Sequence, residues 1–214
     1  VDPREGKIIY PFPLHGDNRR NIASRATGAI GDIEKGFAEA DEVIERTYQT
    51  SQIQCTPLEV HLCYTKIDND RLVIHASTQV PFHTRRIVAR VCGIAENKIR
   101  VIKEKVGGGY GSKQDILVED VAGYATWITR RPIYYRNTRE EEFIANSTRH
   151  PMRITVKMGA KKGGQLTSVY MDVRANTGPY GNHCLTVPMN ACSKTLPLLN
   201  CPNIAFDVTT YYTN

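Results

Sequence analysis

The run Val106-Gly107-Gly108-Gly109-Tyr110-Gly111-Ser112-Lys113-Gln114-Asp115 decides how this 214-residue chain is read. Before it, Asn97 to Lys105 carries Ile99, Val101 and Ile102, a β-rich run that predicts a short strand. After it, Leu117, Val121, Ala125 and Ile128 recur at helical spacing, with Asp115 placed to cap. Residues 97 to 129 therefore predict strand, glycine loop, helix. Four glycines in five residues let the backbone approach a ligand with no side chain in the way. Amides at the start of the following helix can donate to anionic or oxo groups. A sharp turn with no ligand at all would use the same residues.

Two familiar glycine loops fail on these residues. A phosphate loop needs Gly-x-x-x-x-Gly-Lys-Ser/Thr, and Lys113 is followed by Gln114. A dinucleotide fingerprint needs Gly-x-Gly-x-x-Gly, but counting from Gly107 puts Ser112 in the last place and counting from Gly108 puts Lys113 there.

Outward from the loop, residues 1–30 are rich in Pro, Gly, Asn and Arg, with Pro11, Pro13 and Gly16 as breakers. They predict a linker or arm, leaving residues 31–214 as the domain. Asp32 predicts the start of a short helix carrying Phe37 and Ala40. Strands are expected at Glu42–Tyr48, Val60–Ile67 and Arg71–Ser77, the last two joined by a turn at Asp68-Asn69-Asp70. Pro81 suits the first turn of a helix that ends near Gly93. Further on, Pro132–Tyr135 predicts a strand, and Thr138 with Glu141 a capping box. Met152–Met158 and Leu166–Ala175 alternate as a hairpin across Lys161-Lys162-Gly163-Gly164. The stretch from Asn176 reads as irregular until Asn203–Tyr212. This order predicts an α+β fold of mixed sheets with packed helices.

The composition sets limits. Hydrophobic residues make up 41%, and no apolar run approaches the roughly 20 residues of a membrane span, so no membrane partner is expected. The start, Val1-Asp2-Pro3, predicts no signal peptide and, lacking Met, a fragment or processed chain. The net charge of +6 is spread among acids, as at Arg139-Glu140-Glu141-Glu142, with no aromatic ladder, so no nucleic-acid partner is expected. Six cysteines form no Cys-x-x-Cys pair, which argues against zinc, iron–sulfur and disulfide frameworks and for small buried thiols in a reducing compartment. His15, His75, His83 and His183 show no metal-ligand spacing, so no residue here is expected to ligate a metal directly. Gln79, just before Pro81, reads by itself as a helix-entry cap with an amide able to donate and accept. Glu59 and His61 are two apart on an expected strand and would share a face, as a buried structural pair or as a base with its partner.

Val106 to Gln114 resembles the glycine loop of the molybdenum hydroxylases, the xanthine dehydrogenase and aldehyde oxidase family. Other stretches similar to that family follow in its order: Gly31-Asp32, Phe37–Asp41, Pro57-Leu58-Glu59, Ser77-Thr78-Gln79, Arg131-Pro132, Arg149-His150-Pro151 and Asn176-Thr177-Gly178. The ordered set is the signal, and it is most similar to bacterial xanthine dehydrogenase molybdenum subunits. The resemblance implies a first molybdopterin-binding region over residues 31–214 that continues beyond the chain. It implies molybdenum-molybdopterin as cofactor, with a cytosine dinucleotide form allowed, held by Gln79 and the backbone amides of Gly109, Tyr110 and Gly111. Family members usually carry Phe where Tyr110 stands. Gln114 takes the place of a Glu that contacts the purine in animal xanthine oxidases, which implies a substrate contact without charge. The general-base Glu of the family is expected outside this chain, so no catalytic residue is expected within it. FAD and [2Fe-2S] centres are expected on partner subunits, in a cytoplasmic, dimeric assembly. The implied reaction is hydroxylation of a purine such as xanthine or hypoxanthine with water-derived oxygen. The alternatives are a related hydroxylase of nicotinate, another N-heterocycle or an aldehyde, and a non-catalytic interaction domain that keeps the fold.

Overall fold

The computed structural model describes residues 16–213. In chain order the main elements are β1 (Ile22–Ile30), α1 (Ile33–Ala38), β2 (Glu42–Gln49), β3 (Leu62–Asp68), β4 (Arg71–Ala76), α2 (Pro81–Cys92) and β5 (Ile99–Lys103). They continue with α3 (Glu119–Thr129), β6 (Ile133–Arg136), α4 (Arg139–Ala145), β7 (Met152–Ala160), β8 (Leu166–Asn176), α5 (Thr186–Thr195) and β9 (Ile204–Tyr211). The architecture is α+β with two mixed sheets, as the sequence implies. The chain divides into two compact units: Ile53–Arg149 form one, and the residues flanking that stretch form the other.

The unit Ile53–Arg149 is built on a sheet of order β5-β4-β3-β6. β3 and β4 form the expected hairpin; Asn69 and Asp70 take φ of 49° and 57°, the left-handed geometry that a two-residue turn demands. Pro81 opens α2, where its missing N–H is no loss, and Gly93 closes it at φ 66°. α2 carries the chain back to β5, which runs parallel to β4. Leu72, Ile74, Val88, Ile99, Val118 and Ala122 make the core between this sheet and α2 and α3. Gly123 lets the two helices approach: a Cβ there would lie 3.0 Å from a Val88 methyl. The Thr138–Glu141 capping box starts α4 as the sequence predicts.

The flanking unit has order β1-β9-β8-β7-β2. β7 and β8 are the expected hairpin, and β9 lies parallel to β8. Val169, Val173, Cys192, Leu196 and Val208 form its core. Asp32 caps α1 by accepting from the Lys35 amide at 3.0 Å.

Four expectations are corrected. Ile22–Ile30, read as part of an arm, is strand β1, antiparallel to β9, with Ile22, Ala23 and Ser24 buried; Pro11, Pro13 and the rest of residues 1–15 lie outside the described residues. Thr186–Thr195, read as irregular, is α5: its β-branched and Pro-containing sequence has poor helix propensity, and docking of Cys192 into the sheet core overrides it. The helix after the glycine loop starts at Glu119, not Asp115, because Ser112–Gln114 forms a 3-10 turn and Asp115 is extended at φ −87°, ψ 161°. Strand β3 starts at Leu62, which leaves Glu59 and His61 in the irregular approach to it. Among the described residues no helix is long and apolar enough to cross a membrane.

Candidate functional site

The parallel pairing of β4 and β5 decides what meets what. Both strands end at the same edge of their sheet. Ser77-Thr78-Gln79 leaves the end of β4, and the glycine loop leaves the end of β5. Carboxyl ends of parallel strands are where ligands commonly sit in α/β sheets.

Gln79 is fixed by the loop it faces. Its backbone N–H donates to the Lys113 carbonyl at 2.8 Å. Its side-chain Oε1 accepts from the Gly111 amide at 3.1 Å. That bond leaves the Nε2 end as a donor with no partner among the described residues. Glycine at 109 leaves room for the Gln79 side chain in this position, since a Cβ would lie 2.5 Å from Gln79 Oε1 and 2.8 Å from its Cδ and would push the carboxamide aside. Helix entry needs no help from Gln79: Val80 is the cap residue, and its N–H is taken by Thr78 Oγ1 at 3.1 Å.

The loop exposes donors. Gly108, Tyr110 and Gly111 all have positive φ, at 101°, 53° and 94°. Ser112 closes the turn, its N–H and Oγ both donating to the Gly109 carbonyl at 2.9 and 2.7 Å. Among the described residues the amides of Gly108, Gly109 and Tyr110 have no acceptor. The Gly111 amide, one of the three named from sequence, is already committed to Gln79, and Gly108 takes its place as a free donor. The Tyr110 side chain is 66% exposed and points away from any core. The helix N-terminus contributes nothing to this donor set. Leu117 and Val118 N–H groups turn to the carboxylate of Glu119, both at 3.3 Å.

Gln114 lies half-buried at the end of the 3-10 turn, and its side chain has no hydrogen-bond partner among the described residues. A role in capping α3 is absent, because the helix starts five residues later.

Beneath the loop lies a cluster that sequence reasoning missed. Lys113 is 1% exposed, and its ammonium donates to Glu59 Oε2 at 2.7 Å and to Ser77 Oγ at 2.8 Å. The same Glu59 oxygen accepts from the Gly107 amide at 2.9 Å and from Ser77 Oγ in a very short contact. Burial favours the neutral acid of Glu59, but the bonds from Lys113, Ser77 and Gly107 outweigh it and hold its pKa below the usual value. The signal was present: Glu59 and Ser77 stand in the Pro-Leu-Glu and Ser-Thr-Gln runs, and Lys113 in the loop itself.

Glu59 and His61 do not share a face. His61 turns instead to the buried carboxylate of Glu142, through Nδ1 at 2.7 Å and its backbone N–H at 2.9 Å. Asn137 and Asn146 complete the Glu142 shell, both at 3.1 Å. Burial opposes the charge of Glu142, but these donors prevail and its pKa is lowered. Among the described residues there is no group of three His, Cys, Asp or Glu side chains that could hold a metal ion. The six cysteines are all free thiols; burial pushes Cys63 up to about 12 and Cys192 up to about 11, which makes both unreactive at neutral pH.

The loop thus offers three unpartnered amides and one unpartnered carboxamide NH2, with no free charge. That set fits a ligand rich in hydrogen-bond acceptors, such as a pterin and the oxygen atoms of an oxometal group. Residues 14–214 match the family profile described as the molybdopterin cofactor-binding domain. The chain belongs to this family. It is 60% identical over 207 residues to a probable hypoxanthine oxidase, XdhD, of Escherichia coli K12, covering 97% of this chain and 22% of that protein. It is 34% identical over 204 residues to a putative xanthine dehydrogenase molybdenum-binding subunit, XdhA, of the same organism, covering 94% and 27%. The molybdopterin-domain fold is shared with the aldehyde oxidoreductase of Desulfovibrio gigas, with a TM-score of 0.80 and 22% identity over 90% of this chain and 22% of that one. The chain spans about a fifth to a quarter of these curated relatives, at 22% and 27% of their lengths. The resemblance to molybdenum hydroxylases drawn from the ordered motifs holds at the level of the family.

Proposed function

We infer that this chain carries the cofactor-facing glycine loop of a molybdenum hydroxylase that hydroxylates a purine such as xanthine or hypoxanthine. The observation that carries the reading is the Gly111–Gln79 bond, at 3.1 Å, beside a loop whose remaining amides lack acceptors. When bound, molybdenum-molybdopterin supplies the oxygen-transfer and electron-accepting chemistry. The chain's residues bind and polarise. Amides of Gly108, Gly109 and Tyr110 would hold the group's electron-rich atoms with fixed dipoles that need no reorganisation. Gln79 would add its NH2 as a further donor, oriented by Gly111. Gln114 would meet the substrate ring as a neutral donor and acceptor. A general-base Glu, an iron–sulfur subunit and an FAD subunit complete the proposal from outside these residues.

The identity to a probable hypoxanthine oxidase supports the purine assignment. The neutral Gln114 keeps a second reading in play, a hydroxylase of nicotinate or a similar ring, since an amide serves either ring nitrogens or carbonyls. The test is the specificity constants of the full-length enzyme for xanthine, hypoxanthine and nicotinate, in the parent and in Gln114→Glu. The substitution keeps the reach and exchanges a donor–acceptor for an ionised acceptor. A purine preference that shifts in rank supports the proposal. Preference for nicotinate in the parent favours the second reading. A purified protein with no molybdenum and no pterin would leave only a non-catalytic domain of the same fold.

A further inference from the structure

Lys113 joins three separate segments, and we propose that the Lys113–Glu59–Ser77 cluster, in which Lys113 and Ser77 are buried and Glu59 is partly exposed, is the positioning device that holds the glycine loop and Gln79 in place. What the loop faces rests on the cofactor reading above; that the cluster holds the loop rests on geometry. The Lys113 side chain reaches Glu59 and Ser77 at 2.7 and 2.8 Å, while its carbonyl accepts from the Gln79 N–H at 2.8 Å. Gly107 is gripped from both sides: its N–H donates to the Glu59 carboxylate at 2.9 Å, and its carbonyl accepts from the Glu59 N–H at 3.0 Å. A Cβ on Gly107 would lie 2.6 Å from that of Glu59, so the grip is as close as glycine permits.

The cluster answers a need that the backbone alone leaves unmet. With positive φ at Gly108, Tyr110 and Gly111, the loop has no regular ladder to hold it, and three of its amides make no internal bond. An apolar contact would fill the same space without direction, and replacing a buried ion pair by apolar residues is often neutral for stability. The charged cluster supplies directed bonds to defined backbone atoms. It also spends the Lys113 charge inside the protein, so that a ligand meets amide donors and not an ammonium group.

The test uses the full-length protein with the subunits that purify with it. Variants are Ser77→Ala, Lys113→Met and the charge-neutral pair Lys113→Met/Glu59→Gln. Three readouts are taken: melting temperature, hydrogen exchange at the Gly107, Gly111 and Ser112 amides, and pterin and molybdenum retained per chain after gel filtration. Lys113→Met and the pair should exchange about tenfold faster at those amides, the effect of one lost charged hydrogen bond, and retain about tenfold less cofactor. Ser77→Ala should move both readouts in the same direction by less. The pair should keep a melting temperature close to the parent, which separates loop holding from global stability. If Lys113→Met alone fails to fold, the pair and Ser77→Ala decide. A pair with parental loop exchange and parental cofactor retention overturns the proposal. A parent that retains no pterin overturns the cofactor reading instead, and loop exchange still reads the cluster's role.

Discussion

The sheet β5-β4-β3-β6 and the β9-β8-β7-β2 part of the larger sheet are wound alike and filled differently. In each, a hairpin is followed by a helix that returns the chain to a strand parallel to the hairpin's second strand. In each, a further strand pairs antiparallel with the hairpin's first. Yet among the described residues every buried charged or titratable polar side chain, His61, Lys113, Glu119 and Glu142, lies in the unit Ile53–Arg149. The buried polar groups of the flanking unit are the hydroxyls of Ser24, Thr167, Ser168, Thr209 and Thr210. Its ion pairs Arg25–Asp207 and Arg174–Asp172 involve partly exposed side chains. One winding therefore tolerates two kinds of interior. The unit that presents an irregular loop at its strand ends is the one that uses buried charge to fix irregular backbone.

The largest effect should come from removing a buried carboxylate. Glu142→Ala orphans donors on His61, Asn137 and Asn146, and should cost about 4 kcal/mol in the unit Ile53–Arg149. Ser168→Ala in the other unit removes one hydroxyl bond, to the Ile33 carbonyl at 3.0 Å, and should cost about 1 kcal/mol. Hydrogen exchange resolved by unit measures both, and equal costs would break the contrast.

Glycines give the next test. Gly107→Ala drives a methyl into Glu59 at 2.6 Å and should cost about 2 kcal/mol. Gly163→Ala, in the β7–β8 turn, meets nothing within 4 Å and should leave the melting temperature unchanged. A tolerated alanine at 107 would show that the loop can move off Glu59 freely.

Acid should act on one unit first. Glu59 and Glu142 have folded pKa values held below the usual carboxylate value of about 4.3. The stability they contribute is present above that value and is lost as pH falls through the folded pKa. Amides of Ile53–Arg149 should therefore lose protection first as pH falls below the usual carboxylate value, while those of the flanking unit persist. Asp207 is also lowered, burial opposing and its Arg25 bond prevailing, but that pair is solvent-screened and its share is small. Simultaneous loss in both units would remove the electrostatic difference between them.

The smallest effect runs the other way. Burial pushes the pKa of Glu119 up, and its amide bonds offset this only in part. Its contribution is present below the unfolded carboxylate value and is lost as pH rises through the folded pKa. Glu119→Gln keeps an acceptor for Leu117 and Val118 without the charge, and should raise stability at pH 7 by about 1 kcal/mol while changing nothing at pH 3. Denaturant titrations at the two pH values check it, and a loss of stability at pH 7 would mean that the charge at 119 is needed.

The sequence by itself determined the features governed by a few neighbouring residues. The Asn69-Asp70 turn, the Pro81 and Gly93 ends of α2, and the Thr138–Glu141 box were all legible, because each rests on a backbone preference or a bond within about four residues. The ordered motifs gave the family, while the bond between Gln79 and Gly111 became visible only in the fold. Tertiary structure alone decided the rest. Strand β1 was hidden in a segment rich in breakers and exists because β9, far later in the chain, offers it an edge (Ile22 lies opposite Tyr211). Helix α5 forms against its own propensity because the sheet accepts Cys192 and Leu196. The start of α3 moved to Glu119 because the loop's last residues tightened into a 3-10 turn. Glu59, two residues from His61, found its partner 54 residues away in Lys113, while His61 found Glu142 at a separation of 81. A buried charge is placed by whichever opposite charge the folded backbone brings within reach, and local sequence carries no record of that distance.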